Sequence, residues 1–142
     1  MPEEFDRPNS FGWLVNVVAN KASKDFDVEL KKYGLTIALW PTLMCLWEEE
    51  GLTQRDIAAK SKVENSTTTR TLDKLEKLDL VERRADPNSR RSFRIYLTEK
   101  GKELEKDIIP VPARVNKELM STLDADEQQQ MIGLLKKMVA AI

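Results

Sequence analysis

Histidine is absent from the 142 residues, and cysteine occurs once, as Cys45. Those two shortages remove most of the chemistry that a chain of this size carries. Transition-metal sites are built mainly from imidazole and thiolate, so neither a metal site nor a cofactor is expected. The usual general base is missing, and with it the usual partner of a serine or cysteine nucleophile. Carboxylates alone still support acid–base work, which leaves an enzyme as the least favoured reading, with no catalytic residue to name. A single cysteine also excludes an intramolecular disulfide framework. Aromatic residues make up 6% and glycines number five, against 33% charged residues. That balance is the composition of a soluble, mainly helical single domain with a modest core. No apolar run reaches the roughly 20 residues needed to span a bilayer. The richest, Leu35 to Trp47, is broken by Thr36, Pro41 and Thr42. The opening residues are acidic and lack the basic and apolar regions of a signal peptide. A cytoplasmic location without a membrane partner is expected.

The net charge of −1 argues against a nucleic-acid binder, but its distribution does not. Residues 1–52 carry −4, residues 53–100 carry +4 and residues 101–142 carry −1. The middle third is the part suited to face an anion.

Apolar spacing of three to four residues predicts a first helix from Asn9 or Ser10 to about Lys32, through Trp13, Leu14, Val17, Val18, Ala22, Phe26 and Leu30. A second is predicted from Thr36 to Glu50, with Pro41 forcing a kink or an irregular first turn. The run Glu48-Glu49-Glu50 reads as a solvated helix end rather than a carboxylate cluster. Thr53 and Asp56 have capping-box spacing at the start of a short helix to about Lys60. Ser61 to Glu64 make a turn, and another helix runs from Asn65 to Leu78 with Thr68, Leu72 and Leu75 inward. Strands are predicted over Val81–Arg84 and Ser92–Leu97, the second by its alternation, with the Pro-Asn-Ser-containing stretch 85–91 as the connection. Thr98 caps a long helix that bends near Pro110 and Pro112, and Asp124 caps the last, which carries Met131, Leu134, Leu135, Met138 and Val139. Helix, turn, helix and hairpin, in that order, make a winged helix-turn-helix in a mainly α (α+β) chain.

The runs Gly51-Leu-Thr-Gln-Arg-Asp-Ile-Ala, Ser66-Thr-Thr-Thr-Arg-Thr-Leu-Asp-Lys-Leu-Glu, Leu80-Val-Glu-Arg-Arg-Ala-Asp-Pro and Arg90-Arg-Ser-Phe-Arg-Ile-Tyr-Leu-Thr-Glu-Lys-Gly stand in order across residues 51–101. Together they resemble the MarR (multiple antibiotic resistance regulator) family. The resemblance implies a single domain over 1–142, with a DNA-binding lobe at 36–98 between dimerisation helices at 9–33 and 99–142. It implies a homodimeric regulator of transcription, a repressor by default, that binds a pseudo-palindromic double-stranded operator. Two departures stand out. Asp79 replaces the family's usual glycine, and Ser89-Arg90-Arg91 replaces Asp-x-Arg in the wing. The second leaves Arg91 without its carboxylate and predicts a wing that is mobile when free.

On the helix at 65–78, the face opposite Thr68, Leu72 and Leu75 presents Ser66, Arg70, Asp73 and Lys77, flanked by Thr67, Thr69 and Lys74. Hydroxyls at a helix N-terminus suit base edges and phosphates, and Arg70 suits guanine or a phosphate. The DNA-contact candidates are Ser66, Thr67, Thr69, Arg70 and Lys74 in the major groove, with Arg90 and Arg91 of the wing, 85–91, at the minor groove. The plain alternative is a solvated polar face with Asp73–Lys77 as an ordinary ion pair. Arg83, Arg84 and Arg94 read as phosphate contacts or structural ion pairs. Cys45, among apolar neighbours, reads as a buried, inert thiol. Family members often bind small aromatic acids, which makes Trp13 and Trp40 candidate effector contacts, with core packing as the alternative. A competing reading is a winged-helix protein-interaction or effector-sensing module that no longer binds DNA, supported by the missing wing carboxylate and the acidic total charge.

Overall fold

The computed structural model describes residues 4–142. Two compact units emerge, one of residues 27–111 and one built from the terminal segments, up to Phe26 and from Pro112. Helix α1 is Phe11–Lys31. In the terminal unit its Leu14, Val17 and Val18 are 45%, 47% and 56% exposed. Apolar residues at that spacing, left uncovered, mark a face that this unit does not bury by itself.

The region after α1 departs from the expected helix start. Thr36 forms no side-chain cap, and the backbone N–H of Ile37 is taken instead by Asp27 Oδ1 of α1 at 2.9 Å. A 3-10 turn, Ile37–Leu39, then leads into α2, Trp40–Glu48. Pro41 sits in the first turn of α2, where its missing N–H is one of the donors without an intrahelical acceptor anyway. The irregular first turn predicted from Pro41 is this 3-10 segment.

Strand β1, Leu52–Thr53, precedes α3, Gln54–Ser61. The capping box is formed as the sequence implies: Thr53 Oγ1 accepts from the Asp56 N–H, and Asp56 Oδ2 accepts from the Thr53 N–H, both at 3.2 Å. A left-handed Lys62 (φ 56°) ends α3, and α4 runs Asn65–Lys77. Thr68, Leu72 and Leu75 are buried, joined by Thr71. Asp79 stands at φ 59° in the left-handed region where the family prefers glycine, and the Leu80 N–H reaches back to the Leu75 carbonyl at 3.0 Å. A short polar side chain tolerates that conformation at small cost, so the turn survives the substitution.

Strands β2, Val81–Asp86, and β3, Ser89–Leu97, complete an antiparallel sheet of order β1-β3-β2. Both strands are longer than expected, so the connection is not 85–91 but the two residues Pro87 and Asn88. Asp86 causes this: its Oδ1 accepts the Asn88 N–H at 3.0 Å, closing the turn, and Asp86 pairs with Ser89 across it. The next pair is Ala85 with Phe93, so Arg90, Arg91 and Ser92 form a bulge with no cross-strand partner. Ile95 and Leu97 are buried, while Phe93 on the same face is 52% exposed.

Thr98 caps α5, Glu99–Ile108, by accepting the Gly101 N–H at 3.1 Å. The break foreseen at the prolines follows, with α6 spanning Pro110–Leu119. Asp124 caps α7, Ala125–Ala140, through a reciprocal box with Glu127. No residue of α7 is buried, and Leu134, Met138 and Val139 are 61%, 45% and 53% exposed. Residues 27–111, by contrast, hold a core of Leu30, Leu43, Leu46, Ile57, Leu72, Leu75, Ile95 and Ile108, each at most 1% exposed.

The carboxylates of this unit are mostly committed to its own structure. Glu50, expected to be solvated, accepts the Leu97 N–H at 2.7 Å, and Glu48 pairs with Lys60 at 2.9 Å. Asp86 also meets Arg94 Nε at 3.3 Å, and Arg94 Nη1 donates to the Gly51 carbonyl at 2.8 Å. The hairpin is therefore braced by the carboxylate of Asp86, which closes its turn and holds Arg94. Arg91 itself lacks a carboxylate partner, as the serine at position 89 implies.

Two outcomes follow from this packing. A Cβ on Gly101 would lie 2.2 Å from the Leu80 carbonyl oxygen, so Gly101→Ala should cost about 2–3 kcal/mol, read as a lowered melting temperature. The N–H of Asn88, and then Arg94, hold the Asp86 carboxyl below the usual aspartate value of 3.8. A group lowered in the folded state stabilises fully above its unfolded value and loses that contribution as pH falls through its folded value. Below about pH 4, the Asn88 amide should lose protection from hydrogen exchange before the core amides do. Asp86→Asn should abolish that pH dependence. Protection lost only together with the core would contradict this account.

Candidate nucleic-acid interface

The polar face of α4 is set by what its other face buries. With Thr68, Thr71, Leu72 and Leu75 committed inward, Ser66, Thr67, Arg70 and Lys74 are left exposed. The Asp73–Lys77 pair of the plain alternative does not form. Asp73 instead meets Arg83 Nη2 of β2 at 2.8 Å, and Glu76 meets Arg83 Nη1 at 3.4 Å. Arg83 thus couples the helix to the sheet and takes up the negative charge of the outer face. Arg84 pairs with Glu82 and stacks 4.1 Å from the Tyr96 ring centroid, and Arg94 holds Asp86. All three take the structural ion-pair alternative.

The unpaired cations lie elsewhere. Among the described residues, Arg55, Arg70, Lys74, Lys77, Arg90 and Arg91 have no carboxylate within ion-pair distance. These six cations lie on α3, α4 and the wing; Lys62 and Lys100, and the carboxylates of Asp56, Glu64 and Asp79, are likewise outside any ion pair. Arg90 and Arg91 stand on the bulge of β3 and not in the tip loop, because the turn closes at Pro87-Asn88. Arg91 keeps only a backbone contact, its N–H to Ser89 Oγ at 3.4 Å.

Between α3, the start of α4 and the sheet lies a cleft of about 450 Å³, lined by Gln54, Arg55, Asn65, Arg83, Arg91 and Phe93 among others. Gln54 and Arg55 were not among the site residues inferred from sequence. The Thr53 cap places both in the first turn of α3, where Gln54 is half-buried on the face of Ile57 and Ala58 and Arg55 is exposed. Thr69, a sequence candidate, is half-buried, and its hydroxyl donates to the Asn65 carbonyl at 3.1 Å.

The remaining candidates separate. Trp13 lies 5.4 Å from the Arg7 guanidinium within the terminal unit, and Trp40 packs edge-on against Trp47 at 5.8 Å in the other. Trp47 is fixed in turn by its Nε1 donating to the Gly101 carbonyl at 3.0 Å. Cys45 is buried, and that burial pushes its thiol up from the usual value, which keeps it un-ionised and unreactive. Among the described residues, no cluster of acidic and cysteine side chains is arranged to hold a metal, and no helix is long and apolar enough to cross a membrane.

The pattern that defines the MarR family matches residues 35–93, which contain α2, α3, α4 and most of the hairpin. The Escherichia coli K12 transcriptional repressor MprA is 28% identical over 115 residues, covering 80% of this chain and 65% of MprA. A MarR transcriptional regulator of Methanosarcina mazei Go1 superposes with a TM-score of 0.85 at 28% identity, over 92% of this chain and 94% of that one. The MepR–DNA complex of Staphylococcus aureus gives the same score at 27% identity, over 98% of this chain and all of that one. The arrangement of α3, α4 and hairpin, the runs that compose it and these likenesses agree: over its winged helix the chain is similar to the MarR family of regulators.

Proposed function

We propose that the protein is a sequence-specific, double-stranded DNA-binding regulator of transcription that acts as a homodimer. The observation that carries this reading is the segregation of charge. Glu48, Asp73, Glu76, Glu82 and Asp86 are paired with Lys60, Arg83, Arg84 and Arg94, while Arg55, Arg70, Lys74, Lys77, Arg90 and Arg91 stay unpaired on α3, α4 and the wing and outnumber the unpaired Asp56 and Glu64 there. A solvated surface with no partner has no need to separate its charges in this way. The solved MepR–DNA complex, similar over the whole of its chain, supports the same assignment.

In this mechanism, α4 of each subunit enters a major groove of a pseudo-palindromic operator and the wings reach the flanking minor grooves. Ser66 and Thr67, with hydroxyls unbonded among the described residues, serve phosphates and base edges beside the first turn of α4. Arg70 reads a base or holds a phosphate, and Lys74 holds a phosphate one turn on. Arg90 and Arg91 supply positive charge to the narrow groove. Occupying a promoter blocks polymerase, so the protein is a cytoplasmic repressor without catalytic activity. The exposed apolar residues of α1 and α7 form the dimerisation surface, since the terminal unit leaves them uncovered. A small aromatic acid that releases the operator binds the DNA-free form more tightly, by linkage, with Trp13 or Trp40 near it.

Light scattering at micromolar concentration should give twice the 16.3 kDa of one chain; a stable folded monomer would contradict the dimer. Selection from a random duplex pool should yield an inverted repeat whose affinity falls steeply between about 50 and 200 mM salt. Arg70→Ala should cost roughly 1–3 kcal/mol and relax one base position per half-site. Arg91→Ala should weaken binding while altering only the A·T preference of the flanks. In the same titration a phenolic acid should release the duplex with a saturable change in tryptophan fluorescence. A flat salt response, or no selected sequence, would overturn the DNA-binding reading.

A further inference from the structure

Gln54, the first residue of α3, reaches across to α4. Its Nε2, with two protons to share, lies within donating distance of the Asn65 carbonyl at 3.3 Å, of Asn65 Oδ1 at 3.1 Å and of Thr69 Oγ1. The backbone carbonyl can only accept, which fixes the amide with its nitrogen toward α4. Asn65 and Thr69 are one helical turn apart, so one side chain staples the whole first turn of α4 to the start of α3. The same network decides what Thr69 can offer. A hydroxyl has one proton, and that of Thr69 goes to the Asn65 carbonyl at 3.1 Å. It cannot also be given to a guanine oxygen, a thymine oxygen or a phosphate.

We propose that Gln54 is a positioning residue for base readout: it commits the Thr69 hydroxyl to the interior of the α3–α4 corner, so that Thr69 reads thymine through its γ-methyl group. This rests on the DNA-binding reading and deepens it. The chemistry favours thymine because its 5-methyl is the one apolar group in the major groove that distinguishes it from the other bases. The neighbouring Ser66 and Thr67, exposed and without such bonds, keep their hydroxyl protons for polar contacts. Gln54 itself needs no contact with the DNA for this role. It acts by removing the alternative rotamers and donor directions that would let Thr69 accept several bases.

The experiment uses the full chain and the duplex it selects from a random pool. Each thymine of the half-site is replaced in turn by deoxyuridine, which lacks only the 5-methyl. The wild type should lose about fourfold in affinity at one such position, the worth of one buried methyl group. Thr69→Ser, which keeps the hydroxyl, should lose the same amount on the unmodified duplex and become indifferent to the methyl there. Gln54→Leu should broaden base preference at that position while leaving the salt slope unchanged, because no charge is altered. Adding Thr69→Val to Gln54→Leu removes both polar partners, keeps the methyl and should restore the preference, a rescue that a merely structural role does not give. If Thr69→Ser retains the wild-type response to every thymine methyl, the inference is wrong even if Gln54→Leu fails to fold. It is equally wrong if a folded Gln54→Leu keeps the wild-type preference. Failure of the wild type to select any duplex would overturn the DNA-binding reading itself, and this inference with it.

Discussion

Between the last turn of α4 and the first turn of α5, the backbone comes together within a few residues. Thr98 Oγ1 donates to the Asp79 carbonyl at 2.6 Å, the Thr98 N–H donates to the Leu80 carbonyl at 3.0 Å, and Lys100 Nζ donates to the Leu78 carbonyl at 3.0 Å. Gly101 lies so close to the Leu80 carbonyl that no side chain fits. This junction absorbs the orphan carbonyls at the end of α4 and starts β2 and α5 from one place. The direction of the hairpin and the end of α4 are therefore not independent. Arg83 acts one step further out, tying β2 back to Asp73 and Glu76 of the same helix.

Charge has two uses in this unit, and the structure keeps them apart. Paired arginines are half-covered and do mechanical work: Arg83 joins helix to sheet, and Arg94 joins the wing to both Asp86 and the Gly51 carbonyl. Exposed ion pairs of this kind contribute little stability, so their value lies in fixing geometry. The unpaired cations of α3, α4 and the wing outnumber the carboxylates left unpaired beside them. A formal net charge near zero is thus compatible with an electropositive face.

Much of this was legible in the sequence. The apolar spacing of α4 gave its inner face, the Thr53–Asp56 and Asp124–Glu127 spacings gave two helix starts, and Pro41 announced an irregular turn. The MarR-like runs placed the winged helix. What was not legible depended on long-range pairing. Asp86 closes the turn through a bond only two residues long, but its pairing with Arg94 and the register of the strands are not written locally, so the strands looked shorter than they are. Thr36 resembled a cap, but its side chain makes no capping bond, and Asp27, ten residues before Ile37, takes the Ile37 N–H. Glu50 looked solvated because its acceptor role toward Leu97 spans 47 positions. Gln54 is an unremarkable polar residue until α3 and α4 are brought to a corner.

Strand β1 covers only Leu52 and Thr53, opposite Ile95 and Arg94, which leaves the outer part of β3 with one open side and β2 with another. Open strand edges invite pairing with another polypeptide and are a route to aggregation. Here the exposed part of β3 is interrupted by the bulge of Arg90, Arg91 and Ser92, and β2 carries Glu82 and Arg84 at its surface. An incoming strand would find a broken ladder and would have to bury arginine. The hairpin is thereby a poor template for strand pairing with another molecule.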